Sequence, residues 1–173
     1  MATKLDDFMD SVATEEAWKK ISIDFCWNEV LLEKYQKNVD WSEIICNSEI
    51  MWTIPMLQKF SKYIDWKKFS DEAGEETLTP LMLETFKDKW NWHELSGNRD
   101  LVLTDELLTR YADLWDWGKI IDSYNNRDLF KGHAIEFYEK YREYIPASKL
   151  QDSFLWGEII EQRKTELIND IIS

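Results

Sequence analysis

Pairs of adjacent apolar residues recur along the chain at nearly regular intervals. Successive pairs begin 23, 25, 26, 25 and 30 residues apart, and an apolar residue follows four positions after the start of each pair. A spacing of four places side chains on one face of a helix. Six copies in the same register predict a tandem repeat of about 25 residues. The pairs are Phe8–Met9, Leu31–Leu32, Met56–Leu57, Met82–Leu83, Leu107–Leu108 and Phe137–Tyr138.

A column of tryptophans keeps the same register. Ten positions after the start of the pair, five copies hold tryptophan and the sixth holds Ala147. The other five of the ten tryptophans also stand at fixed positions in the repeat. Because tryptophan side chains bury large areas, we expect them in the core, as wedges between neighbouring repeats. The column consists of Trp18, Trp41, Trp66, Trp92 and Trp117.

Each copy is predicted to form two short helices. The first helix starts at an Asn or Thr three residues before the pair, and the second starts at an Asp or Asn just before a column tryptophan. These residue types accept hydrogen bonds from the free backbone N–H groups of a helix N-terminus. Asp40 with Glu43, and Asn91 with Glu94, also have the spacing of a capping box. The predicted caps are Asn28, Thr53, Thr79 and Thr104, and then Asp40, Asp65, Asn91 and Asp116.

Neither helix of a pair could bury its apolar face alone, so successive pairs are expected to stack. We predict an all-α, single-domain solenoid of about six short helix pairs over residues 1–173, with a closing helix at 156–173. The predicted repeats are residues 1–27, 28–52, 53–78, 79–103, 104–133 and 134–155.

The closing helix is predicted over Trp156–Ile172. One apolar face would cover the end of the array while the other face stays exposed to solvent, as in the capping units of repeat proteins. The predicted apolar stripe is Ile159, Ile160, Leu167, Ile168 and Ile171.

The stretches W-N-W-H-E-L-S-G-N at 90–98 and D-W-G-K-I-I at 116–121 carry a resemblance. They are similar to the tryptophan-rich tandem repeats, W-D-W-x-x-L-S-x-N followed by a short helix, of uncharacterised proteins from giant viruses and some bacteria. The similarity covers about Leu31–Ile121. It implies a helical repeat and supplies no catalytic residues to carry over. Half-a-tetratricopeptide arrays are a looser analogy.

The formal net charge of −13 bears on partners. Phosphate backbones and anionic membranes attract lysine and arginine, so neither is an expected partner. Complementary fields instead favour a basic protein. The N-terminal sequence M-A-T-K-L-D-D-F-M-D has no apolar signal region, and no apolar run is long enough to span a membrane. A cytoplasmic location is expected.

Residues that could carry chemistry are few. Cys26 and Cys46 stand beside apolar residues and are interpreted as buried reduced thiols, although a disulfide between them stays open. His93 and His133 are the only histidines, and neither is part of an H-E-x-x-H motif. No metal or cofactor is expected, and no catalytic set is found.

Where one copy departs from the pattern, function is more readily expected, because repeat proteins often place it in such variations. The third copy replaces the S-x-N segment with acids. We expect a non-catalytic protein-binding module, a small acidic inhibitor or immunity-type protein that neutralises a basic, possibly nucleic-acid-binding, partner. The alternatives are a self-associating scaffold and, third, an unrecognised enzyme. The expected partner-binding residues are Asp71, Glu72, Glu75 and Glu76.

Overall fold

The computed structural model describes the backbone of residues 4–173 and the side chains of residues 8–173. Over that range the chain forms α-helices and one 3-10 helix at Tyr124–Leu129, without a β-strand, which confirms the all-α prediction. The first three residues of the first predicted repeat lie outside the described range. The helices are α1 Lys4–Asp24, α2 Glu29–Tyr35, α3 Trp41–Ile45, α4 Ile54–Phe60, α5 Trp66–Glu72, α6 Pro80–Thr85, α7 Trp92–Leu95, α8 Asp105–Arg110, α9 Trp117–Ile121, α10 Ala134–Tyr141, α11 Ala147–Leu150 and α12 Phe154–Ile172.

All eight predicted N-caps are confirmed. Each side-chain oxygen accepts a hydrogen bond from a backbone N–H two or three residues later in its helix. At Asp40 the cap is completed from outside its own helix, because the backbone N–H of Asp40 donates to Ser22 Oγ at 2.9 Å. The helix starts are therefore fixed by local side-chain chemistry, as the cap residues predict.

The first repeat departs from the predicted helix pair. Residues of both expected helices form one helix, α1, of 21 residues. Ala17 stands where later repeats have the Asp or Asn cap of their second helix, and Thr14-Glu15-Glu16 precedes it. Without a cap or a helix breaker, continuing the helix leaves fewer backbone groups unpaired than starting a new one.

The sixth repeat is entered through a longer connection. The 3-10 helix and a turn at Gly132 take up the five extra residues of the 30-residue step. Gly132 has a φ of 82°, in the left-handed region where glycine has no side-chain clash. The following helix, α10, starts without a side-chain cap.

The chain divides into two compact units, an N-terminal unit of Met1–Trp90 and a C-terminal unit of Asn91–Ser173. The boundary falls inside the fourth repeat, between α6 and α7. In the N-terminal unit α3 packs against both α1 and α5. In the C-terminal unit α11 packs against α9, and α12 packs against α10 and the 3-10 helix.

Within each unit, tryptophan rings join neighbouring repeats. Every column tryptophan contacts the aromatic residue that lies four positions after the start of the next pair. None of the ten tryptophans is exposed, so their predicted packing role is confirmed. The ring-centroid distances are 5.7 Å for Trp18–Tyr35, 5.3 Å for Trp41–Phe60, 5.2 Å for Trp66–Phe86, 4.9 Å for Trp92–Tyr111 and 4.7 Å for Trp117–Tyr141.

The closing helix exists, but its predicted buried stripe is wrong. Helix α12 packs against α10 and against the 3-10 helix, where its Glu158 is paired with Arg127, and its Leu155 is fully buried. Gln162 also accepts a hydrogen bond from the backbone N–H of Ile135. This side therefore faces the protein, so Ile159 is half-buried and the other stripe residues are exposed. The exposed ones are Ile160, Leu167, Ile168 and Ile171.

None of the helices in the described part of the chain combines the length and apolar composition of a membrane span.

Candidate protein-binding surface

The four predicted partner-binding acids lie together at the end of α5, and all four are exposed. Asp71 and Glu72 are the last two residues of α5. Glu75 and Glu76 lie in the turn that follows. Helix α5 is longer than α3, the equivalent helix of the second repeat. Glu72 stands in the place of the asparagine that follows α3 and turns the chain away from that helix.

That asparagine, Asn47, shows how neighbouring connections are tied. Its Nδ2 donates to the carbonyl oxygens of Ser22 and Phe25 at 2.8 and 2.9 Å. Its Oδ1 accepts from the backbone N–H of Glu49 at 2.9 Å. The segment after α3 is therefore held against the end of α1.

Helices α3 and α5 pack against each other. Near their N-terminal ends, Lys68 Nζ donates to the carbonyl oxygen of Ser42 at 2.9 Å. The next residue of α5, Phe69, contacts the ring of Trp52, which precedes α4, with centroids 5.5 Å apart. The connection between α3 and α4 therefore lies against the end of α1 through Asn47 and against α5 through Trp52. We call this side of the N-terminal unit an edge.

The connections at this edge contain acids and no bases, while Lys67 and Lys68 lie one helical turn before Asp71 and Glu72. Residues 21–33, 46–58 and 69–86, which span the three connections between repeats and their flanks, contain no lysine or arginine. The exposed acids beside the three connections define what we call the acidic edge. They are Asp24, Glu49, Asp71, Glu72, Glu75 and Glu76.

Two apolar side chains are exposed on the acidic edge. Phe25 follows Asp24 and is 47% exposed, and Met51 follows Glu49 by two residues and is 77% exposed. Partner surfaces combine a polar rim with apolar anchors, and methionine and aromatic residues are enriched in them. The acidic edge therefore offers apolar contact area as well as charge.

The connections inside the repeats carry lysines, together with the acids Asp40, Asp65 and Asp88. Gln36 and Tyr63, from two successive connections of this kind, are joined by a hydrogen bond of 2.9 Å from the Tyr63 hydroxyl to Gln36 Oε1. A helix of seven residues such as α2 is about 10 Å long, which separates this basic edge from the acidic edge. The exposed bases of the basic edge are Lys34, Lys37, Lys59, Lys62, Lys87 and Lys89.

Sequence reasoning found four acids of the acidic edge and missed Asp24, Glu49, Phe25 and Met51. Counting charge repeat by repeat adds the acids of one connection to the lysines of another, so the count hides where each charge lies. The signal that could have found them is the absence of lysine and arginine from all three connections.

The cysteines are neither paired with each other nor buried. Cys26 and Cys46 are both free and both exposed, so their interpretation as buried thiols was wrong. Cys26 lies in an extended segment where side chains alternate, and its neighbour Trp27 takes the buried side. Cys46 lies at the C-terminal end of α3, with its Sγ 3.6 Å from the carbonyl oxygen of Ser42.

The histidines are also exposed. His93 Nδ1 lies 2.5 Å from Asp116 Oδ2, and His133 Nδ1 lies 3.2 Å from the carbonyl oxygen of Lys131. Among the described residues, no three His, Cys, Asp or Glu side chains are placed to hold a metal ion.

His133 lines a small pocket of the C-terminal unit together with Asp105 and Lys140. Lys140 Nζ donates to both oxygens of Asp105 at 2.5 and 2.7 Å, and the Tyr141 hydroxyl donates to Asp105 Oδ1 at 2.8 Å. The hydrogen bond from Lys140, with that from Tyr141, lowers the pKa of Asp105. The hydrogen bond to Asp105 raises the pKa of Lys140.

The Asp105–Lys140 pair has a counterpart between other repeats. Lys59 occupies the same repeat position as Lys140, and it pairs with Glu29 and Glu33 of the preceding repeat at 3.0 and 2.8 Å. Because the same kind of ion pair also forms away from this pocket, it is explained as a link that holds neighbouring repeats together. The perturbed pKa values therefore do not by themselves indicate catalysis.

Comparison with protein-family models, curated proteins and solved structures finds no match to this chain.

Proposed function

We propose that the protein is a non-catalytic, solenoid-type binding module that uses the acidic edge to dock a basic protein. The observation that carries the proposal is the segregation of charge in the N-terminal unit, where three neighbouring connections display acids and no base. Docking a basic surface there gains from complementary potentials, which speed association and exclude acidic competitors. Phe25 and Met51 add apolar contacts that charge alone cannot supply.

We further propose that the module inhibits its partner. The six acids of the acidic edge would cover a basic surface with which the partner binds nucleic acid. Phosphate backbones could then no longer reach that surface. The net charge of −13 supports inhibition of this kind, since it repels nucleic acid from the module itself.

The test uses a defined basic probe. A synthetic amphipathic peptide with lysine on one face and leucine on the other is titrated into the protein and followed by fluorescence anisotropy. Its glutamate counterpart is the probe control. We expect saturable binding of the lysine peptide only, weakening as salt is raised, because exposed charges are screened beyond about 10 Å at 0.1 M salt.

Two charge-reversal variants separate the edge from net charge. In the first, Asp71, Glu72, Glu75 and Glu76 become lysine. In the matched control, four exposed acids of the C-terminal unit become lysine, so both variants lose the same negative charge. We expect the edge variant to bind at least about tenfold more weakly than the control. The control acids are Glu106, Asp113, Asp128 and Glu143.

Equal weakening of both variants would mean that only net charge attracts the peptide, and the docking proposal would be abandoned. Light scattering of the same samples tests the scaffold alternative. A mass that rises with concentration, without peptide binding, would favour self-association.

A further inference from the structure

The C-terminal unit contains a pocket that the proposed docking surface does not use. It has a volume of about 180 Å³ and lies between α8 and α10. Its walls are mostly apolar, and Leu108 and Phe137 on these walls are themselves buried. The lining residues are Asp105, Leu108, Leu129, His133, Glu136, Phe137, Lys140 and Tyr141.

The pocket forms where the repeat pattern changes. Four positions before the pair, the second to fifth repeats hold a large buried apolar residue, such as Trp52 or Leu103. In the sixth repeat this position holds His133, which is exposed. The longer connection also brings Leu129, the last residue of the 3-10 helix, to the pocket wall. The pocket is thus a product of the insertion before the sixth repeat.

The charges around the pocket are unequal. Asp105 and Lys140 neutralise each other through two hydrogen bonds. Glu136 accepts hydrogen bonds from its own backbone N–H and from Gln162 Nε2, and both donors are neutral. These two bonds lower the pKa of Glu136, so the carboxylate is ionised at neutral pH. One negative charge therefore lies at the mouth without a hydrogen-bonded cation.

The size and chemistry define a ligand class. An apolar cavity of about 150 Å³ is large enough to bind benzene. We propose that this pocket binds a small organic amine, with a benzene-sized apolar group between Leu108, Leu129 and Phe137 and its ammonium group beside Glu136.

Three probes of similar size and different charge test the proposal. Benzylamine, benzyl alcohol and phenylacetate are titrated at pH 7 while methyl and amide resonances are recorded by NMR. We expect benzylamine to shift the methyl resonances of Leu108 and Leu129 saturably. Its Kd should be about fivefold lower than that of benzyl alcohol, and phenylacetate should bind most weakly.

Variants on one helix isolate the carboxylate. Glu136→Gln should reduce benzylamine affinity to that of benzyl alcohol, whereas Glu139→Gln, an exposed acid on the same helix, should leave it unchanged. Leu129→Trp should fill the pocket and abolish binding of all three probes. The proposal is overturned if benzylamine binds no tighter than benzyl alcohol, if both glutamine variants weaken it equally, or if the shifts lie outside the pocket.

Discussion

The indole ring of Trp41 lies face to face with the phenol ring of Tyr63, with centroids 4.8 Å apart and ring planes 9° from parallel. Trp41 belongs to the second repeat and Tyr63 to the third. Trp117 and Tyr144 repeat the relationship in the C-terminal unit, with centroids 5.7 Å apart and planes at 21°. Ring stacking between repeats thus occurs in both units, in addition to the buried apolar core.

Replacing Trp41 by alanine should lower the free energy of unfolding by about 2–4 kcal/mol, because the half-buried ring contacts both Phe60 and Tyr63. Urea unfolding followed by far-UV circular dichroism measures the change. Tyr63→Phe is the control, since it keeps the stacked ring and removes only the hydrogen bond to Gln36 Oε1. A loss below about 0.5 kcal/mol for Trp41→Ala would show that stacking does not hold these repeats together.

Ser22 links the first and second repeats through its hydroxyl group. Its Oγ donates to the carbonyl oxygen of Trp18 at 2.7 Å and accepts from the backbone N–H of Asp40 at 2.9 Å. Ser22→Ala removes the hydroxyl partner of the Trp18 carbonyl and of the Asp40 N–H at a buried position. The free energy of unfolding should therefore fall by about 1–3 kcal/mol. The amide of Asp40 should also exchange faster with solvent. Ser48→Ala, at an exposed position, should change stability by less than about 0.5 kcal/mol, and equal losses in both variants would refute the link.

The helix starts could be predicted from the sequence because each depends on a few consecutive residues. Thr104, for example, caps α8 through a hydrogen bond to a backbone N–H only three residues away. The continuous α1 could have been predicted by the same reasoning, since Ala17 cannot act as a cap. Local chemistry therefore determines most of the element boundaries.

Burial and the candidate site could not be predicted as well, since they depend on what packs against each element. Leu167 belongs to an apolar stripe, yet α12 turns Glu158 toward the 3-10 helix and Gln162 toward α10 and leaves that stripe in solvent. Asp24 and Glu49 are 25 residues apart, and only the stacking of repeats places them on one edge. Such groupings arise from tertiary structure, so a count made along the chain misses them.

The Asp105–Lys140 pair should make stability depend on pH. The pKa of Asp105 lies below its ordinary value of 3.8 in the folded protein, because Lys140 and Tyr141 donate hydrogen bonds to it. Its contribution is therefore present above pH 3.8 and is lost as pH falls through the lowered folded-state value. Since Asp105 is largely exposed, solvent screening limits the effect of Asp105→Asn at pH 7 to about 1 kcal/mol or less.

Unfolding measured between pH 7 and pH 2.5 tests this sign. The difference in unfolding free energy between wild type and Asp105→Asn should shrink as the pH is lowered, because Asp105 becomes protonated in both the folded and the unfolded protein. Asp113→Asn serves as the control for loss of one negative charge. A difference that stays constant or grows toward acid pH would contradict the role assigned to the pair.

The two sides of α12 should respond differently to truncation. Leu155 is fully buried, so Leu155→Ala should cost about 2–5 kcal/mol. Leu167 is 54% exposed, so Leu167→Ala should cost less than about 1 kcal/mol. Urea unfolding at two protein concentrations measures both. If copies of the chain buried the exposed stripe against one another, Leu167→Ala would lose more stability at the higher concentration, because association stabilises the folded state by mass action. If the loss of stability for Leu167→Ala does not depend on protein concentration, the stripe stays in solvent, as the packing of α12 on α10 places it.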